Sequence, residues 1–398
     1  MSDLDARAET AKLARLLGVP AESLAFLENA AAPATRQFRE SVSDALYNRN
    51  RQNFERLARL SRVLPAGPTA KLTEDVLGAT LAGRVAGELS PDAAVKLAER
   101  LSPKFLADVC LELDPRRAGP IIRRMPASVV VPVALLLAAR KDFITMGRFV
   151  DSLAEDVLDA VIVAIKSDEV LLRTGFFVEN KSRLDAVMRL LPAARLRGAI
   201  LAAKEHALWP EALSLILHLK ADLKGRLGNL VAEQSEEVLE DLAAAAQRQD
   251  LWPAMLEAVA AMTAENQRRV VNMPALQSPE VLTGIIVAAN ASKMWNTLLP
   301  LAPLMAPGQR EQLVRIALEQ PSALIRDLFG AAAQHDLWPA ALGLLSELPE
   351  KIQQQLGRRA ADGLRDVYAE IRRAAESLGM LASLSAVDVG YRAALGSP

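Results

Sequence analysis

Glu236, Glu237, Glu240 and Asp241 gather four carboxylates along a short helical stretch, and hard oxygen ligands at that spacing suit a hydrated magnesium ion. The competing reading is a solvated acidic face, which runs of like charge usually form. The histidines offer less chemistry. His206 and His218 flank one helix, His335 is distant, and Cys110 is the only thiol, so no zinc-like ligand set arises. Arg36, Arg39, Arg49, Arg51, Arg56, Arg59 and Arg62 surround Tyr47 and Phe54 on what reads as one long N-terminal helix, a basic-aromatic mixture that suits phosphate contact. Glu40, Asp44 and Glu55 interrupt it. A solvated helix face or a protein partner therefore ranks ahead of nucleic acid, with Arg49, Arg51 and Arg56 as candidate contacts. Arg116, Arg117, Arg123 and Arg124 form a second basic cluster. Nucleotide-binding glycine loops, H-E-x-x-H and G-x-S-x-G are absent, so no catalysis is expected and magnesium is the one cofactor considered.

The elements that must carry these residues are marked by tryptophan. Trp209, Trp252, Trp295 and Trp338 are the only four in the chain, and each follows the last by 43 residues. A period in the forties is the mark of stacked helical units of HEAT or armadillo size. Apolar columns share it: Leu213, Leu256, Leu299 and Leu342 align, as do Leu242, Ile285, Leu328 and Ile371. The pattern predicts three helices in the first copy, at roughly 210–219, 222–232 and 236–248. Pro210, Pro253 and Pro339 fit the first helical position, which puts Trp at the cap and Leu208 just before it, stapled to Leu213. Ser235 and Ser278 are expected to cap the third helix. The indoles are expected to pack repeat against repeat; the alternative is an aromatic ladder on which flat ligands stack. The third copy departs from the others: Asn296 replaces the proline, and Pro300, Pro303 and Pro307 enter where a helix should continue. Residues 295–308 are therefore a candidate contact patch.

A shorter rhythm precedes the array. LSP at 89–91, LSP at 101–103 and LDP at 113–115 each pair a capping Ser or Asp with a first-turn proline, which predicts a chain of helices about ten residues long. Over roughly residues 80–200 this stretch resembles the N-terminal superhelical domain of MgtE-type magnesium transporters and, more distantly, the helical units of the flagellar motor protein FliG. The resemblance implies a right-handed superhelix that contacts other protein domains, and it raises magnesium sensing as an alternative role.

Composition closes off other classes. Forty-seven basic against 48 acidic residues leave a formal charge of −1, so no global field draws the chain to nucleic acid or anionic lipid. A lone Cys110 fits a reducing compartment and reads as a small core residue, and the acidic N-terminus lacks a secretory pattern. The most apolar run, Val129 to Ala139, is too short to span a bilayer and contains Pro132. These observations predict an all-α solenoid: an N-terminal arm at 1–64 hinged at LPAGP (64–68), a superhelix at 69–205, four repeats at 206–380 and a partial repeat at 381–398. The expected role is a non-catalytic scaffold for another protein in the bacterial cytoplasm, with a magnesium-responsive module and a nucleic-acid binder as alternatives. Oligomeric state is left open.

Overall fold

The computed structural model describes residues 4–61 and 66–396, without the side chains of Leu60 and Ser61. Arg62 and the first part of the expected hinge, residues 64 and 65, lie outside the described residues. All regular structure among the described residues is helical and no strand occurs, as the Ala- and Leu-rich, aromatic-poor composition leads one to expect. The chain forms two compact units, Met1–Leu219 and Lys220–Pro398. The boundaries expected near 64 and 205 fall inside the first unit, and the one at 380 inside the second.

The first unit contains α1 (Leu4–Leu17), α2 (Ala32–Asn48), α3 (Arg51–Ser61), α4 (Ala66–Leu72), α5 (Gly78–Ala86), α6 (Pro91–Ala98), α7 (Pro103–Glu112), α8 (Pro115–Ile122), α9 (Ala127–Ala139), α10 (Phe143–Val150), α11 (Glu155–Ala164), α12 (Asp168–Phe176), α13 (Ser182–Leu190), α14 (Ala193–Glu205) and α15 (Trp209–Leu217). From α4 onward each helix packs mainly on the one two places along, so α4, α6, α8, α10, α12 and α14 make one row and α5, α7, α9 and α11 the other. The L-[SD]-P steps set the starts of α6, α7 and α8: Ser102 accepts from the Phe105 N–H and Asp114 from the Arg116 N–H, whereas Ser90 makes no side-chain cap bond.

The second unit contains α16 (Ala221–Ala232), α17 (Glu236–Gln249), α18 (Trp252–Ala260), α19 (Ala264–Val271), α20 (Pro279–Ala291), α21 (Trp295–Leu298), α22 (Pro307–Glu319), α23 (Ser322–Gln334), α24 (Trp338–Ser346), α25 (Glu350–Ala361), α26 (Arg365–Ser377) and α27 (Ser385–Ala394). Contacts between helices three places apart, such as α18 with α21 and α20 with α23, carry the 43-residue unit into space. The predicted helices of the first copy match α15, α16 and α17 to within two residues. Two details differ. Each tryptophan helix starts at the tryptophan itself with the preceding Leu or Met as N-cap, and Ser278 caps its helix while Ser235 makes no side-chain cap bond.

A turn that sequence spacing had not exposed lies ahead of each tryptophan. Ala207, Asp250, Lys293 and Asp336 all have φ of 54–56°, and Gly379, a further 43 residues on, has φ of 67°. The next N–H then bonds back five residues, as from Leu251 to Ala246 O at 3.0 Å and from Met380 to Ala375 O at 2.8 Å. This is the Schellman closure of a helix, normally given to glycine because a Cβ is crowded there. The same turn recurs at Lys141 (φ 56°), leading into Phe143 at the start of α10, which is a copy outside the tryptophan register.

Candidate functional site

The tryptophans are structural. Trp209, Trp252 and Trp295 are 3–4% exposed, and the indole N–H of Trp252 donates to Gln247 Oε1 at 2.9 Å while that of Trp295 donates to Asn290 Oδ1 at 3.1 Å. Gln247 and Asn290 share a column. Trp338, where that column holds Ala333, is only half-buried and stacks on Phe329 at 5.9 Å between centroids.

Three residue sets nominated by the sequence are placed as follows. In the third repeat the prolines stop α21 after one turn and carry the chain through a 3₁₀ segment, Leu299–Leu304, before α22 begins. Asn296, Pro300, Pro303 and Pro307 all face solvent, while Leu299, Leu301 and Ala302 are buried beneath them. Glu236, Glu237, Glu240 and Asp241 open α17, but among the described residues no group of three or more His, Cys, Asp and Glu is placed to hold a metal ion. The quartet is therefore not supported as a magnesium site; its carboxylates share one face of α17, three of them exposed, as the solvated acidic face would have it. The long basic N-terminal helix is in fact two, α2 and α3, and its arginines divide. Arg49, Arg51 and Arg56 are exposed at the α2–α3 junction, with Arg51 3.0 Å from Glu55. Arg39 is buried, which corrects its assignment to a solvated face.

Arg39 belongs to an ionic cluster under α1 and α2. Glu9, 1% exposed, receives Lys12 Nζ at 2.9 Å, Arg36 Nη2 at 3.0 Å and Arg39 Nε at 3.1 Å. Glu179, after α12, lies 3.0 Å from Arg39 Nη2 and 3.5 Å from Arg148 Nε. Burial pushes the Glu9 pKa up, but the attraction of Lys12, Arg39 and Arg36 outweighs it and holds the carboxyl below its ordinary value. For Lys12 burial wins, and its ammonium pKa is lowered despite Glu9 and Glu179. Further along, Arg116 and Arg117 both reach Asp44 on α2, and the Arg117 guanidinium sits 3.9 Å over the Tyr47 ring. His218 bonds Asp5 on α1 at 2.8 Å, and Phe54 and Ala58 of α3 pack on Val85 of α5. The N-terminal helices are thus pinned to helices of both rows, from α5 to the end of α15. Their outer side keeps apolar groups in solvent: Phe38 (54% exposed) and Leu46 (49%) on α2 lead towards Arg49.

The walls of the first unit also line a partly open cavity of about 390 Å³, reaching from Leu57 on α3 to Leu215 on α15. Both rows contribute, and the lining is almost wholly aliphatic. Cys110 lines it and packs on the core cluster around Ala107 and Met146, in keeping with the small core residue expected, and burial pushes its thiol up to about 12. Nothing in the sequence period signals this space, because the residues lining it are spaced like ordinary core positions.

No described helix is long and apolar enough to cross a membrane. No protein-family model, curated protein or solved structure matches the chain.

Proposed function

We propose that the chain is a non-catalytic helical-repeat scaffold of the bacterial cytoplasm that holds another protein. The observation that carries this reading is the outer surface of α2 and α3, where Phe38 and Leu46 stand in water beside Arg49, Arg51 and Arg56. Buried interface centres favour aromatic side chains and arginine, and exposed Phe38 beside Arg49, Arg51 and Arg56 has that composition. The underside of the same helices is fixed by the Glu9 and Asp44 ion pairs, so the surface is offered in one orientation, which reduces the ordering cost of binding. The exposed prolines of residues 295–308 are a second surface of the same kind, already stiffened by their rings.

The test compares affinity purification of the full chain with that of the doubly substituted Phe38→Asp, Leu46→Asp chain, at matched helical content. A partner recovered in stoichiometric amount by the first and lost from the second supports the scaffold reading. Identical recoveries from both remove it.

A further inference from the structure

We infer that the cavity of the first unit is a binding site for one linear alkyl chain, the acyl tail of a fatty acid or of a bilayer lipid. Three observations carry the assignment. The first is the chemistry of the walls. Their few polar groups are already engaged: Thr73 donates to Thr69 O at 2.7 Å, Thr174 donates to Met146 Sδ at 3.8 Å, and Asp168 pairs with Arg195. A polar ligand would find no partner there, and water finds none either, so the space rejects both. The second is size. About 390 Å³ of the space admits water-sized groups. At roughly 30 Å³ for a group the size of a water molecule, the same volume suits on the order of a dozen methylenes. The third is shape. Its lining runs from Leu57 on α3 to Leu215 on α15 and draws on both helix rows, an extended lining that suits a chain. Leu72, 45% exposed, is the most exposed of the lining side chains.

Of α2 and α3 only Leu57 lines the cavity, and Phe38, Leu46, Arg49, Arg51 and Arg56 do not, so protein binding and chain binding stand or fall separately. The experiment titrates the full chain, stripped of bound lipid on hydrophobic resin, with cis-parinaric acid and follows its fluorescence. We expect saturation at one equivalent and displacement by palmitate but not, at tenfold higher concentration, by hexanoate. Ala134→Phe projects a ring into the cavity and should weaken binding at least tenfold, with helical content and melting temperature retained; Leu135→Phe, one residue on and facing outward, should leave it unchanged. Should Ala134→Phe fail to fold, Cys110→Leu fills the same space with fewer added atoms and is expected to weaken binding in the same direction. Uptake from palmitate alone identifies a free acid as the source, and uptake from phosphatidylcholine vesicles identifies a bilayer lipid; either supports the site. Absence of saturable binding from both sources, or equal binding by the filled and unfilled chains, overturns it.

Discussion

At the scale of single residues, the indoles and the buried carboxylate decide most. Trp252 fills space between successive repeats and donates its N–H to Gln247, so we expect Trp252→Ala to cost about 3–5 kcal/mol and Gln247→Ala, which leaves the donor unpaired, about 1–3 kcal/mol, read from chemical denaturation. The tryptophan role was legible because a large side chain on a fixed period has few other uses. The glutamine role was not: an amide five residues earlier has meaning only once the Schellman turn folds it back. Glu9 was equally hidden, since its partners Arg36, Arg39 and Lys12 look like surface charges in an amphipathic sequence. Its folded pKa lies below the ordinary 4.5, so its stabilisation is present above that value and is lost as the pH falls through the folded value. Asp5 and Asp114, also depressed, act in the same sense from their ordinary 3.8. Denaturation midpoints should therefore fall as the pH drops below about 4.5, and Glu9→Gln, by stranding its cations, should cost about 3–5 kcal/mol at about pH 7 and flatten that slope.

At the scale of elements, the repeat is defined by a turn as much as by an indole. Ala207 and Lys293 adopt a left-handed backbone that favours glycine, and we expect Ala207→Gly and Lys293→Gly each to raise stability by about 1 kcal/mol, the opposite of what glycine does inside a helix. A lower melting temperature in both would contradict the shared turn. The closing helix α27 shows the converse requirement. A Cβ on Gly390 would lie 2.1 Å from Gln354 O of α25, and one on Gly357 2.1 Å from Val387 O, so the two helices touch backbone to backbone. Gly390→Ala should therefore loosen α27 from α25, speeding amide exchange in both helices and weakening the stacking of Tyr368 on Tyr391. Helix positions were legible in the first repeat and at the L-[SD]-P steps, where Pro, Ser and Asp punctuate them, but the break between α2 and α3 was not. The close α25–α27 crossing and the turn at Lys141 were not, since neither leaves a repeated residue type.

At the scale of the whole molecule, the fold class followed from composition and period, but the division into units did not. The first tryptophan helix, α15, packs on α12, α14 and α1, with His218 held by Asp5, and so belongs to the first unit although its sequence belongs to the array. Contacts across two hundred residues leave no mark on local spacing, and the same reason kept the α2–α3 surface from being read as one side of a pinned segment. With basic and acidic residues balanced, recognition must come from such local surfaces and not from a general field. The scaffold reading is tested most directly in living cells by placing a photoreactive benzophenone side chain at position 38 or, as control, at exposed position 75 of the full chain. We expect irradiation to join position 38 to one dominant protein and position 75 to none; equal labelling from both positions, or none from position 38, would contradict the claim that this surface holds a partner.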